Sequence, residues 1–357
     1  MNSKRLLATV ILTIVPAAII FILIFSEVLS SGCLSCDQET TELKVVYAGS
    51  LIVPFRDMEA AFESNHPGVD VLLEGHGSIQ AVRQVTDLKR GFDVVVVADD
   101  SLIPAMMYPD HSNWSVRFAQ NEMVIAYTEN SRYADEINKT NWYEILTRPD
   151  VKFGFSNPMF DACGYRTLML IALAESYYDD ETIFDELIGP HFDPPIFEIE
   201  EGDVKRVVVP ETFHPVDDTI SIRGGSVQLI AMLDYSDLDY VFEYESVAQQ
   251  NGLRYLKLPP QIGLGSPEYA NVYRDVEVAL GFQRFESIGF ERSGKPIFYG
   301  ITIPKNAPHP ELGAEFVRFV LSDVGQKILA NSSTPPIISE ADCPDCIPRT
   351  IRALMPA

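Results

Sequence analysis

The apolar residues between positions 43 and 98 fall into runs of two kinds. Leu43-Lys-Val-Val-Tyr-Ala48, Val69-Asp-Val-Leu-Leu73 and Asp93-Val-Val-Val-Val-Ala98 are short and rich in β-branched residues, the pattern of strands in a parallel sheet covered on both faces. Residues 53–62 and 79–88 carry apolar side chains at helical spacing. Strand and helix therefore alternate as βαβαβ, the start of an open α/β domain. Residues 122–127 form another strand but leave this rhythm, and 118–127 reads as a crossover into a second lobe. That lobe continues with a helix over 137–146, a strand from Phe153, and a helix over 165–178. An acidic, Pro-rich stretch follows over 179–216, with an edge hairpin at 206–210. After it come a helix over 227–233, a strand over 239–244 and a helix over 246–251. Residues 296–303 are an amphipathic strand and 311–329 an amphipathic helix. The tail from Pro335 reads as irregular.

These elements divide the chain into 42–121 (lobe one, first part), 122–262 (lobe two), 263–345 (return to lobe one and C-terminal helix) and 346–357 (tail). Residues 1–41 are set apart as a signal or membrane anchor plus linker. The fold class is α/β and two-lobed, with a ligand cleft between lobes where strand-end loops meet.

The turns after the strands carry small polar residues: Gly49-Ser50, Gly77-Ser78, and Asp161-Ala-Cys-Gly164 after the Asn157-Pro158 turn. Each opens a predicted helix, whose first N–H groups have no partner within the helix and lie at the positive end of its dipole. Such an end binds anions. Ser and Asp at helix starts are also ordinary caps. Here three of them fall at strand ends that would face one cleft.

Net charge is −24, from 51 acids against 27 bases. No basic stripe is present, which argues against nucleic acid as a partner. The overall field would repel an anion, so binding would rest on local N–H groups and hydroxyls. Lys4-Arg5 precede an apolar run over residues 6–25, long enough to span a bilayer. This reads as an export signal or an uncleaved anchor. Ser30-Ser-Gly-Cys33 is similar to a lipoprotein cleavage box, so Cys33 is a candidate for lipidation. The expected location is the extracytoplasmic face of the membrane, anchored or lipidated. Cys33/Cys36 and Cys343/Cys346 are C-x-x-C pairs too far apart for a ribbon-type zinc site, and in an exported protein disulfides are expected. The six histidines form no metal-spaced pair.

Taken together, Tyr47-Ala-Gly-Ser-Leu51, Gly77-Ser78, Asn141-Trp-Tyr-Glu-Ile-Leu146 with Arg148-Pro-Asp150, Phe153-Gly-Phe-Ser-Asn-Pro158, Asp161-Ala-Cys-Gly-Tyr-Arg166 and Tyr299-Gly-Ile-Thr-Ile-Pro-Lys305 carry a resemblance. The chain resembles the archaeal-type molybdate/tungstate-binding proteins of ABC importers, over roughly residues 42 to 332. The resemblance implies a type II periplasmic-binding-protein fold that captures an oxyanion and delivers it to a membrane permease with its ATPase. It implies no cofactor and no enzymatic activity. As ligand contacts it implies Gly49, Ser50, Ser78, Asp161, Ala162, Cys163 and Tyr244. Asp161 would contact molybdenum or tungsten directly, as hard oxygen donors allow.

The sequence departs from the family at Ser226, where members that expand the metal's coordination have a glutamate. Ser226 would supply a hydroxyl instead. Strand alternation puts Glu243 opposite Tyr244 and so away from the ligand. Two alternatives stand beside this reading. One is a binding protein for sulfate or phosphate, with Asp161 as a cap or as acceptor for a phosphate proton. The other is a Cys-dependent enzyme using Cys163, whose place at a helix N-terminus would lower its pKa, although no base partners it in the motif.

Overall fold

The computed structural model describes residues 40–281 and 291–355. The apolar run at 6–25 and the Cys33/Cys36 pair lie outside these residues. Among the described residues no helix is long and apolar enough to cross a membrane.

The first strands are β1 (Thr41–Ala48), β2 (Val69–His76), β3 (Val94–Val97) and β4 (Val116–Asn121). Helices Ile52–Asn65 and Ser78–Thr86 connect β1 to β2 and lie between β2 and β3. β1 and β3 pair in parallel, and all four valines of β3 are buried, as expected for a strand inside a covered parallel sheet. β5 (Met123–Tyr127) follows β4 after the single residue Glu122 but belongs to a different sheet. The crossover thus falls inside the stretch the sequence indicated.

The second sheet contains β5, β6 (Phe153–Ser156) and three later strands. Before those come β7 (Phe192–Asp193), β8 (Phe197–Glu201), β9 (Val204–Val209) and β10 (His214–Pro215). β11 (Ile220–Arg223), β12 (Tyr240–Tyr244) and β13 (Arg254–Lys257) then complete the order β11-β6-β12-β5-β13. β6, β11 and β12 are parallel, so their C-terminal ends lie on one edge. The Ala162–Tyr178 helix packs beneath them and is buried from Ala162 through Glu175.

The remaining strands are β14 (Val276–Leu280), β15 (Glu291–Ser293), β16 (Ile297–Thr302) and β17 (Pro336–Ala341). Four expectations are corrected here. The segment from 263 was expected to return to lobe one, but β14 and β15 join β9 and β8 in a separate four-stranded sheet. The chain rejoins the first sheet only at β16, which lies between β3 and β4. The 206–210 stretch is indeed in a hairpin, β8–β9, but β9 is an inner strand rather than an edge. The tail from Pro335 is not irregular, because β17 pairs antiparallel with β4. Its prolines are tolerated because the strand lies at the sheet's edge. The expected 311–329 helix is two helices, Pro310–Leu321 and Asp323–Asn331. Ser322 accepts the Gly325 N–H and starts the second. Cys343 and Cys346 form a disulfide.

Candidate functional site

Five strand ends meet at one small cavity of about 80 Å³, lined by Gly49 and Ser50 after β1, Gly77 after β2, Asp161 after β6, Ser226 after β11, and Tyr244 at the end of β12. The structure therefore brings together most of the residues singled out from sequence. Two glycines allow the approach. A Cβ on Gly77 would lie 2.5 Å from the Phe160 carbonyl oxygen and 2.9 Å from the Asp161 Cβ, across the two lobes. A Cβ on Gly164 would lie 2.1 Å from the Ser156 oxygen, so glycine there lets the long helix begin directly against the end of β6.

Asp161 holds the cap position of that helix with extended backbone, but its side chain makes no capping bond. Its carboxylate turns across the cleft instead. Oδ1 accepts the Ser78 N–H at 3.3 Å and Oδ2 accepts the Ser226 N–H at 3.2 Å. Burial pushes its pKa up, and these two N–H groups oppose the shift. Ser78 thus contributes its N–H to Asp161 rather than directly to the cavity wall.

Three hydroxyls are polarised from behind. Asn121 Nδ2 donates to Tyr299 OH at 2.9 Å, and Tyr299 OH donates to Ser50 Oγ at 2.9 Å. The Ala98 N–H donates to Ser78 Oγ at 3.0 Å. Arg166 Nη1 donates to Tyr244 OH at 2.8 Å and to the Ala98 carbonyl at 2.6 Å. A hydroxyl has one proton. With its acceptor side engaged, each of Ser50, Ser78 and Tyr244 keeps that proton to donate. Burial holds the Tyr244 phenol well above its ordinary range and pushes Tyr299 up to about 12, so both remain O–H.

Ala162 and Cys163 are buried and do not line the cavity. The expectation of a lowered Cys163 pKa is overturned. Burial, with Glu243 and Asp161 nearby, pushes the thiol well above its usual value. Its Sγ lies 3.6 Å from the Phe242 oxygen and 3.5 Å from Glu243 Oε2. In this setting it is a packed thiol and no nucleophile.

Several lining residues were missed from sequence: His76, Gln80, Gly225, Val227 and Gln228. His76 ends β2, and its Nε2 lies 2.7 Å from Glu74 Oε1. Gly75 and Gly77 around His76, and Gly224-Gly225 before Ser226, were the available signal, since glycine marks close backbone approach. Glu243 does not line the cavity, as strand alternation indicated. It is fully buried, with Oε1 2.9 Å from Ser226 Oγ and Oε2 accepting the Tyr244 N–H at 3.0 Å. Alternation holds for the backbone, yet at the end of β12 this longer side chain still reaches behind the cavity wall.

Among the described residues, no Lys or Arg lines the cavity. Contacts across it hold the lobes together. Gln80 N–H donates to the Phe160 carbonyl at 3.1 Å and Tyr165 OH to Asp99 at 2.5 Å.

Two α/β lobes closing strand ends over a small polar cavity define a solute-binding protein. The comparisons agree. Residues 43–332 match the bacterial extracellular solute-binding protein family, and the chain belongs to it. An uncharacterized solute-binding protein of Methanoculleus marisnigri is 42% identical, over 90% of this chain and 92% of its own. One from Petrotoga mobilis is 42% identical over 84% of each. Among solved structures, the periplasmic molybdate-binding protein of Azotobacter vinelandii is similar with a TM-score of 0.51 at 13% identity, over 82% of this chain and 98% of that one. The sulfate-binding protein of Mycobacterium tuberculosis gives 0.54 at 13% identity, over 89% and 92%. At such identity the likeness is one of fold. The protein is thus an extracytoplasmic-type solute-binding protein of the kind that serves ABC transporters. Its family is one of binding proteins, not of enzymes.

Proposed function

We propose that the cleft captures molybdate or tungstate and delivers it to an ABC permease with its ATPase, the protein being held at the membrane by its N-terminal anchor or by lipid on Cys33. One observation carries the reading: a carboxylate, Asp161, shares a small cavity with the Ser50 and Tyr244 hydroxyls, both polarised as donors. Pockets for larger organic solutes run to roughly 300–1,000 Å³, so about 80 Å³ suits a small ion. The donors suit a fully deprotonated oxyanion. The carboxylate would repel such an anion unless its central atom accepts a further oxygen ligand, which molybdenum and tungsten do and sulfur does not. Ser50, Ser226 and Tyr244 would bind the anion's oxygens. Gly49, Ser78, Ala162 and Cys163 would shape and support the site, and Asp161 would reach the metal. Phosphate is the second reading, because Asp161 could accept the proton of a monoprotonated anion.

Titration calorimetry with tungstate, molybdate, sulfate and phosphate separates these readings. The two metal oxyanions should bind, and each at 100 times its Kd should stabilise the protein by about 2.7 kcal/mol. Asp161→Ala should weaken them at least about tenfold, roughly 1.4 kcal/mol. Binding of phosphate or sulfate with no response to tungstate or molybdate would refute the metal reading.

A further inference from the structure

Ser226 is the one cavity hydroxyl whose partner behind the wall is a carboxyl group. The other two, Ser50 and Tyr244, are each backed by a donor, Tyr299 OH and Arg166 in turn. Ser226 is backed by Glu243 Oε1 at 2.9 Å. An ionised Glu243 could only accept there. It would take the Ser226 proton and leave lone pairs facing the cleft.

The other oxygen of Glu243 already has its donors. Oε2 accepts the Tyr244 N–H at 3.0 Å and lies 3.5 Å from Cys163 Sγ. A carboxyl proton would therefore sit on Oε1, pointing at Ser226. We propose that Glu243 carries this proton, that it donates to Ser226 Oγ and so turns the third cavity hydroxyl into a donor toward the cleft, and that capture of a dianion is coupled to its retention. The proposal rests on the oxyanion reading of the cleft.

The surroundings favour the neutral acid. Glu243 is fully buried. The groups around it are the Asp161 carboxylate, the Cys163 thiol and the phenols of Tyr244 and Tyr299. The nearby guanidinium, Arg166, is engaged with the Ala98 carbonyl and Tyr244 OH. Burial, helped by the charge of Asp161, pushes the Glu243 carboxyl up to about 8 against its bonds from Ser226 and Tyr244. Deprotonation would add a second negative charge behind a cavity meant for an anion. Ordinary specificity reasoning looks only at what faces a ligand; here the discriminating group lies one side chain behind.

The test is tungstate affinity across pH, from about 6 to about 10, where tungstate stays a dianion. In the wild type, affinity should be level up to about pH 8 and then fall by up to tenfold per pH unit as Glu243 loses its proton. In Glu243→Gln the amide nitrogen donates permanently to Ser226 and the amide oxygen still accepts from Tyr244, so the fall above pH 8 should vanish. Level wild-type affinity to about pH 10, or an unchanged fall in Glu243→Gln, overturns the proposal.

A ligand-independent measurement keeps the two readings apart. The infrared difference between wild type and Glu243→Gln at pH 7 should contain the carbonyl band of a protonated carboxylic acid. Ser226→Ala should shift that band, because it removes the acceptor. Absence of the band, or a band indifferent to Ser226→Ala, overturns the proposal even if Glu243→Gln folds poorly. If the band behaves as expected and no oxyanion binds at any pH, the protonated Glu243 stands and the reading of the cleft falls.

Discussion

Arg166 is buried beside the cleft and makes polar contacts with both lobes. Its side chain is 2% exposed, and it reaches Tyr244 OH, the Ala98 carbonyl and, at 3.7 Å, the Asp99 carboxylate. Ala98 and Asp99 follow β3, whereas Arg166 and Tyr244 belong to the second lobe, so one guanidinium ties the lobes and orients a cavity phenol together. Burial alone would raise the Asp99 pKa, but Lys295, Arg166 and Arg292 outweigh it and hold it well below the usual value. Its contribution to stability is therefore present above the ordinary 3.8 and is lost only as pH falls through the depressed value. Removing one partner of a buried charged set typically costs about 3–5 kcal/mol. Arg166→Ala should lose about that much in urea unfolding and should weaken oxyanion binding as Tyr244 OH loses its donor. A loss below about 1 kcal/mol would show that the remaining partners of Asp99, Lys295 and Tyr165 among them, satisfy it.

At the scale of elements, the strand-to-helix turns decide where chemistry sits, and their spacing is set by backbone approach. Gly164 shows this, since its missing Cβ leaves room for the Ser156 oxygen. Gly164→Ala should cost about 1–3 kcal/mol by overpacking, whereas Gly224→Ala, whose nearest neighbour would be a side-chain oxygen 3.8 Å away, should change stability by less than about 0.5 kcal/mol. Equal effects in chemical denaturation would refute this. These turns were legible in the sequence because Gly49-Ser50 and Gly77-Ser78 close strand-like runs and Asp161 stands between the Asn157-Pro158 turn and an apolar helical run. Other elements were not, for local reasons. The expected 137–146 helix shrinks to Trp142–Leu146. Upstream, Asn138 Oδ1 takes the Thr140 N–H and Asn141 Oδ1 takes the Asn138 N–H. Such side-chain bonds offer the backbone an alternative to helix. β14 was hidden because its partner β9 precedes β10–β13 in the chain, and pairing at that distance leaves no local mark. Glu243 was hidden because alternation describes where a side chain starts, not how far it reaches.

At the scale of the molecule, the lobes differ in how they are threaded. The five strands of the second sheet all come from residues 123–257, whereas the first sheet takes β1–β4 from one end of the chain and β16 and β17 from the other. β16 sits between β3 and β4, so the first sheet has a gap at its centre until residues 297–302 arrive. Contacts between distant parts of a chain form late. Pulse-labelled amide exchange during refolding should protect Met123–Tyr127 before Val116–Asn121, because the partners of β4, β16 and β17, lie farther along the chain than those of β5, β12 and β13. Simultaneous protection would refute the order.

The crossover at Glu122 has a consequence for timing. Because β4 and β5 are separated by one residue, the first sheet inherits its orientation from whichever lobe has already formed. A chain emerging N-terminus first would finish its second lobe while the opening third of its sequence was still waiting. The sheet begun first is thus the last to close, since it waits for β16 and β17.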